Sequence, residues 1–213
     1  MVVGSRWYED ATQRKPCPWD GTLPRLTGVW DRVAREQVLS YLDGSFPELV
    51  NLRQHRPHFD PQRGRTTDPN EHTVEVLDLL DIQSFTERER MLLRIAVLFH
   101  DVGKQKDAFD PQHPVESARI AAGFVGQFGL SAREQDLVLL HIREHSTLGL
   151  VSQGKLSPAE VVARLHLCEM PEQLTWHLAI CTADISAIRG LAWVVRAGHI
   201  ARAYDAVSRT LGS

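Results

Sequence analysis

Cysteine is nearly missing from this chain. Cys17, Cys168 and Cys181 are odd in number and show no CxxC spacing, which argues against a disulfide framework and a zinc knuckle and fits a reducing, cytoplasmic setting. An apolar N-terminal stretch is lacking too. Arg6, Glu9, Asp10 and Arg14 break up the start of the chain, so no signal peptide is expected. The richest apolar run is too short, and too interrupted by Arg94, to span a bilayer. There is no basic excess: the formal charge is −3, against the basic surface that long nucleic acid demands. Sustained period-two alternation, internal repeats and low-complexity tracts are also absent. What remains is an ordinary globular composition, 43% hydrophobic and 24% charged over 213 residues, long enough to bury a core.

Helix signals dominate what is present. The first 26 residues, with Pro16, Pro18, Pro24, Trp7 and Trp19, predict an irregular arm, and residues 27–213 are expected to form one helical domain. A helix is predicted from about Val29 to Leu42, with Gly44 after it. Residues 53–68 read as a polar loop, where Arg53, Arg56, Arg63 and Arg65 alternate with Pro57, Pro61 and Gly64. Asp68-Pro69 is a cap and first-turn pair for the helix carrying His72. Thr86-x-x-Glu89 is a capping box opening an apolar helix that ends at His100. Asp110-Pro111 leads into a helix from His113 to near Gly129. Ser131-x-x-Glu134 opens the helix of His141 and His145, and Ser157-Pro158-x-Glu160 opens another. Pro171 begins a long helix through Asp184 to Gly190. A last helix covers residues 193–211, where Trp193, Val194 and Val195 are core or interface. The fold class is therefore an all-α bundle, an architecture in which side chains facing inward from several helices commonly build a metal site in the core.

The metal site is read from Met91 to Lys104, an apolar run ending in His100-Asp101-Val102-Gly103-Lys104. Burying an ionisable pair at the end of such a run is expensive unless the pair is compensated or bound to metal. Further ligand types occur on both sides: His72 in EHT, His113 in QHPVESA, His145 in REHST and Asp184 in TADIS. In order this H…HD…H…H…D series resembles the HD superfamily of metal-dependent phosphohydrolases, named for its His-Asp pair. The likeness covers residues 68–190.

The resemblance implies a first metal held by His72, His100, Asp101 and Asp184. It implies a second held by His113 and His145, with Asp101 bridging the two. His141 lies one turn before His145 on the same face and is the rival ligand. The metals are expected to be two divalent transition ions (Fe, Mn, Zn, Co or Ni), acidifying a water that attacks phosphorus. Asp101 and Lys104 are the expected catalytic residues. Lys104, Arg63, Arg65 and Arg143 are the candidates for phosphate binding; Glu116 and His58 are weaker ones. No GYP motif follows His145, so the cyclic-dinucleotide phosphodiesterase subgroup is not expected. The residues before Asp68 are too few for a nucleotidyltransferase half. The resemblance thus implies a stand-alone phosphohydrolase acting on a nucleotide or another small phosphate ester, with no membrane partner and oligomeric state left open. Two alternatives share the ligand pattern: a di-iron oxygenase cleaving a C–P or C–C bond, and a non-catalytic HD binding module.

Overall fold

Three capping boxes set the helix starts where the local sequence places them. At Thr86, Ser131 and Ser157 the hydroxyl accepts a hydrogen bond from the backbone N–H three residues on, and the Glu there reaches back to the cap's own N–H. The computed structural model describes residues 32–45, 58–59, 66–67, 69–104, 111–188 and 191–212. The helices are α1 (Arg32–Ser45), α2 (Pro69–Leu79), α3 (Glu87–Phe99), α4 (His113–Ala121), α5 (Ala132–Glu144), α6 (Thr147–Ser152), α7 (Pro158–Arg164), α8 (Gln173–Ala187) and α9 (Leu191–Leu211). A 3-10 turn, Val125–Phe128, joins α4 to α5.

The centre of the bundle is α3. Leu92, Leu93, Ile95, Ala96, Val97, Leu98 and Phe99 are all buried. The stretch 95–99 is apolar and buried on every side, which requires neighbours on every side, and α2, α4, α5 and α8 pack against the helix. Phe99, fully buried, meets Phe124 and Phe128 with ring centroids 5.8 and 5.9 Å apart. Asn70 donates to Asp43 Oδ1 at 2.7 Å, pinning α1 to α2. Buried apolar residues form two clusters. One surrounds α3, and the other lies among α5 to α9 around Leu148, Leu165, Leu167 and Val207. Among the described residues no helix is long and apolar enough to cross a membrane.

Several sequence expectations are corrected. The helix predicted from His113 to near Gly129 ends at Ala121. Gly123 and Gly126 weaken a continued helix, and the 3-10 turn buries Val125 and Phe128 before Gly129 reverses the chain at φ +63°. The helix expected to carry His145 ends at Glu144, so His145 caps it. The short helix α6 was not anticipated. The polar loop holds a minimal ladder, His58–Phe59 (β1) antiparallel to Thr66–Thr67 (β2), too short to leave a period-two signal. The N-terminal arm, its boundary at residue 27, Asp68, and the side chains of His58, Trp193, Val194 and Val195 lie outside the described residues.

Arg88 binds Glu134 through two hydrogen bonds of 2.6 and 2.7 Å, tying the start of α3 to the start of α5. That contact, with the hydrogen bonds from Ser131, holds the Glu134 carboxyl down to about 2. The folded carboxyl therefore titrates below the unfolded one. Its contribution to stability is complete above about pH 4.5 and disappears as the pH falls towards 2. Thermal melts of Glu134→Gln are expected to show a lower Tm than the wild type at neutral pH, with the two curves converging near pH 2. Parallel curves across that window would show that the contact does not matter.

Candidate metal centre

His100 and His145 occupy equivalent places: each is the residue immediately after a helix, α3 and α5 respectively. Each donates its Nδ1 hydrogen to the backbone carbonyl three residues earlier, Val97 and Ile142, at 2.7 Å in both cases. The last carbonyls of a helix have no partner within it, so these rings satisfy them. The same bond fixes the tautomer and leaves Nε2 as a bare lone pair. His72 and His113 come from the first turns of α2 and α4, and Asp184 from the last turn of α8.

These side chains form two groups of potential ligand atoms, His72 with His100 and Asp184, and Asp101 with His113 and His145. Within each group the atoms lie within 4.8 Å of one another. In the first, His72 Nε2 is 2.8 Å from Asp184 Oδ1, which is itself 3.8 Å from His100 Nε2. In the second, the Nε2 atoms of His113 and His145 are 3.0 Å apart. Asp101 faces both groups. Its Oδ2 is 3.4 Å from His100 Nε2 and 3.7 Å from His72 Nε2; its Oδ1 is 3.3 Å from His113 Nε2 and 3.9 Å from His145 Nε2.

The electrostatics suit a cation. Burial pushes the His100 imidazole below its ordinary value and takes His145 down to about 3, so both are neutral donors at neutral pH. Burial opposes the charge on Asp101, yet His100, Lys104 and His113 draw it well below the usual carboxylate range. Burial likewise opposes the charge on Asp184, and its hydrogen bond to His72 holds it low. His100 Nε2 is buried and makes no hydrogen bond, which is costly for a polar atom unless something else occupies its lone pair. Neutral imidazoles and ionised carboxylates converging on two points fit divalent transition metals.

The other predicted residues fall as follows. Lys104 makes a close ion pair with Asp101 Oδ2. Arg143 turns to Glu144 at 3.0 Å and lines a cleft of about 760 Å³ with Arg119, Arg133, Leu140 and Met170; none of the six ligand candidates borders it. Glu116 pairs with Arg119. His141 joins neither ligand group, because its Nε2 donates to Gln173 Oε1 at 2.5 Å. Arg63 and Arg65 lie outside the described residues. The local sequence does not single out Gln173 or His177 as part of a site. The spacing of Gln173, His177, Cys181 and Asp184 on one face of α8 was the available signal.

Gly103 brings the His-Asp turn against the start of α4. Its N–H donates to Ser117 Oγ at 2.9 Å, and an added Cβ would lie 2.3 Å from Ser117 N and 2.8 Å from His113 O. Backbone atoms cannot yield as a flexible side chain can. Gly103→Ala is expected to cost about 1–3 kcal/mol, read as a lower denaturation midpoint. An unchanged midpoint would contradict the close approach.

Comparison with known proteins adds to this geometry. An aligned stretch covering 63% of the chain is 27% identical to the bifunctional uridylyltransferase/uridylyl-removing enzyme of Zymomonas mobilis. The chain spans only 16% of the length of that relative. The family model of the HD domain matches residues 70–170, a span containing five of the six ligand candidates, His72, His100, Asp101, His113 and His145. That match takes in most of the residues that build the two groups, and residues 70–170 are thus an HD domain.

Proposed function

We propose that this protein is a metal-dependent phosphohydrolase cleaving a phosphate ester of a nucleotide or another small phosphorylated metabolite. The observation that carries the reading is the placement of Asp101, one buried carboxylate whose two oxygens face two separate sets of imidazoles. His72, His100 and Asp184 would hold one divalent ion, His113 and His145 the other, with Asp101 shared. Such a pair of ions, when bound, supplies an acidified water and neutralises charge on a phosphoryl group.

The chain's own residues have distinct tasks in this reading. Burial keeps the His100 and His145 imidazoles neutral, and the Val97 and Ile142 carbonyls orient them. Lys104, at the mouth of the His-Asp turn and partly exposed, is assigned to a phosphate oxygen. Arg63 and Arg65 are retained from the sequence as further phosphate contacts, and Arg143, turned to Glu144, is given no part. A nucleotide is favoured because the Zymomonas relative is named for removing a uridylyl group. The intact set of ligand types favours an enzyme over a binding module.

Elemental analysis of protein purified without chelator is expected to find about two equivalents of Mn, Fe, Zn, Co or Ni, lost in a His100→Ala/Asp101→Ala variant. Anaerobic phosphate release from a nucleotide panel is expected to depend on that metal. Turnover only with oxygen and bound iron would instead identify an oxygenase, and a protein that takes up no metal would be a binding module. Lys104→Met is expected to lower kcat/KM by about a hundredfold with metal content unchanged; wild-type turnover would remove Lys104 from the reaction.

A further inference from the structure

One polar stripe on α8 runs from the ligand Asp184 to buried residues beyond the ligand set. Gln173, His177, Cys181 and Asp184 are spaced by four, four and three residues, so they share a face. Each meets a different partner. Gln173 accepts from His141 Nε2 at 2.5 Å. His177 Nε2 and Thr147 Oγ1 are 2.6 Å apart. The Cys181 thiol donates to the His145 carbonyl at 2.8 Å, and Asp184 meets His72. Gln173, His177, His141 and Thr147 are each no more than 2% exposed. His177 Nδ1 and His141 Nδ1 are buried with no hydrogen-bond partner. An apolar interface would avoid that cost.

What the stripe holds is the turn between α5 and α6. His145 lies outside the helical ladder, two residues before Thr147. Its ring is oriented by Ile142, but the direction of the turn itself is set from α8, through Thr147 on one side and the His145 carbonyl on the other. We propose that His177 and Thr147 are positioning residues that set His145, and hence the second metal-binding group, without touching the metal themselves. The inference rests on the two-metal reading above. Partners of a ligand are worth about ten- to a hundredfold in metal affinity. Here the effect is expected on one ion, because Thr147 lies two residues from His145, whereas His72, His100 and Asp184 come from α2, the end of α3 and the last turn of α8.

The test is calorimetric titration of Mn²⁺ into metal-free full-length wild type, Thr147→Val, Thr147→Ser and the double variant Thr147→Val/His177→Leu. The double variant removes both polar partners and leaves no unpaired group between them, which guards against simple loss of folding. Expected is a second-ion affinity about ten- to a hundredfold weaker in Thr147→Val and in the double variant. The first-ion affinity should be unchanged, and Thr147→Ser should match the wild type. Wild-type affinity for both ions in the double variant overturns the inference. So does an equal loss of both, which marks a merely structural role. A wild type that binds fewer than two ions overturns the two-metal reading and the inference with it.

Discussion

Asp101 carries a negative charge into the centre of an apolar bundle, at 1% exposure, and the arrangement around it answers that cost. An isolated ionised carboxylate is intolerable in such a place. Lys104 and His113 compensate it directly, while His72, His100 and His145 bring ligand nitrogens to it from α2 and from the ends of α3 and α5. Packing α2, α4, α5 and α8 around α3 serves two ends at once. It buries the apolar surface of α3 and brings these groups to the tip of that helix.

Local geometry handles the imidazoles at that tip. A histidine placed just past a helix can reach the carbonyl three residues back, so the tautomers of His100 and His145 are fixed by local contacts. Burial then keeps them neutral. Close approach of the two segments depends on a residue without a side chain: Gly103 lets the His-Asp turn rest on the backbone of α4, within reach of His113. α8 closes the assembly from the other side, with Asp184 at one group and Cys181 behind the turn of the other.

Much of this was legible in the sequence because it is decided over a few residues. The capping boxes at Thr86, Ser131 and Ser157 name their helix starts, and the apolar run before His100 announces a buried helix. Ligand types are equally legible, since few side chains can serve a buried divalent ion. Helix ends were harder to read. α4 stops at Ala121 because burying Val125 and Phe128 in a 3-10 turn wins over continuing the helix, and that preference belongs to the core around Phe99.

The sequence by itself determined an all-α bundle, its principal helix starts and six residues able to bind metal. The resemblance implied how the six divide between two ions and took His145 over His141, but only the packed helices bring the ligand atoms within reach of one another. His141 and His145 share a helix face and a residue type, so spacing cannot separate them. Gln173, 32 residues away, takes the Nε2 of His141, while His145 reaches His113 across a similar distance in the chain. Hydrogen bonds between residues so far apart exist only once the helices have packed, and they leave no local trace in the chain.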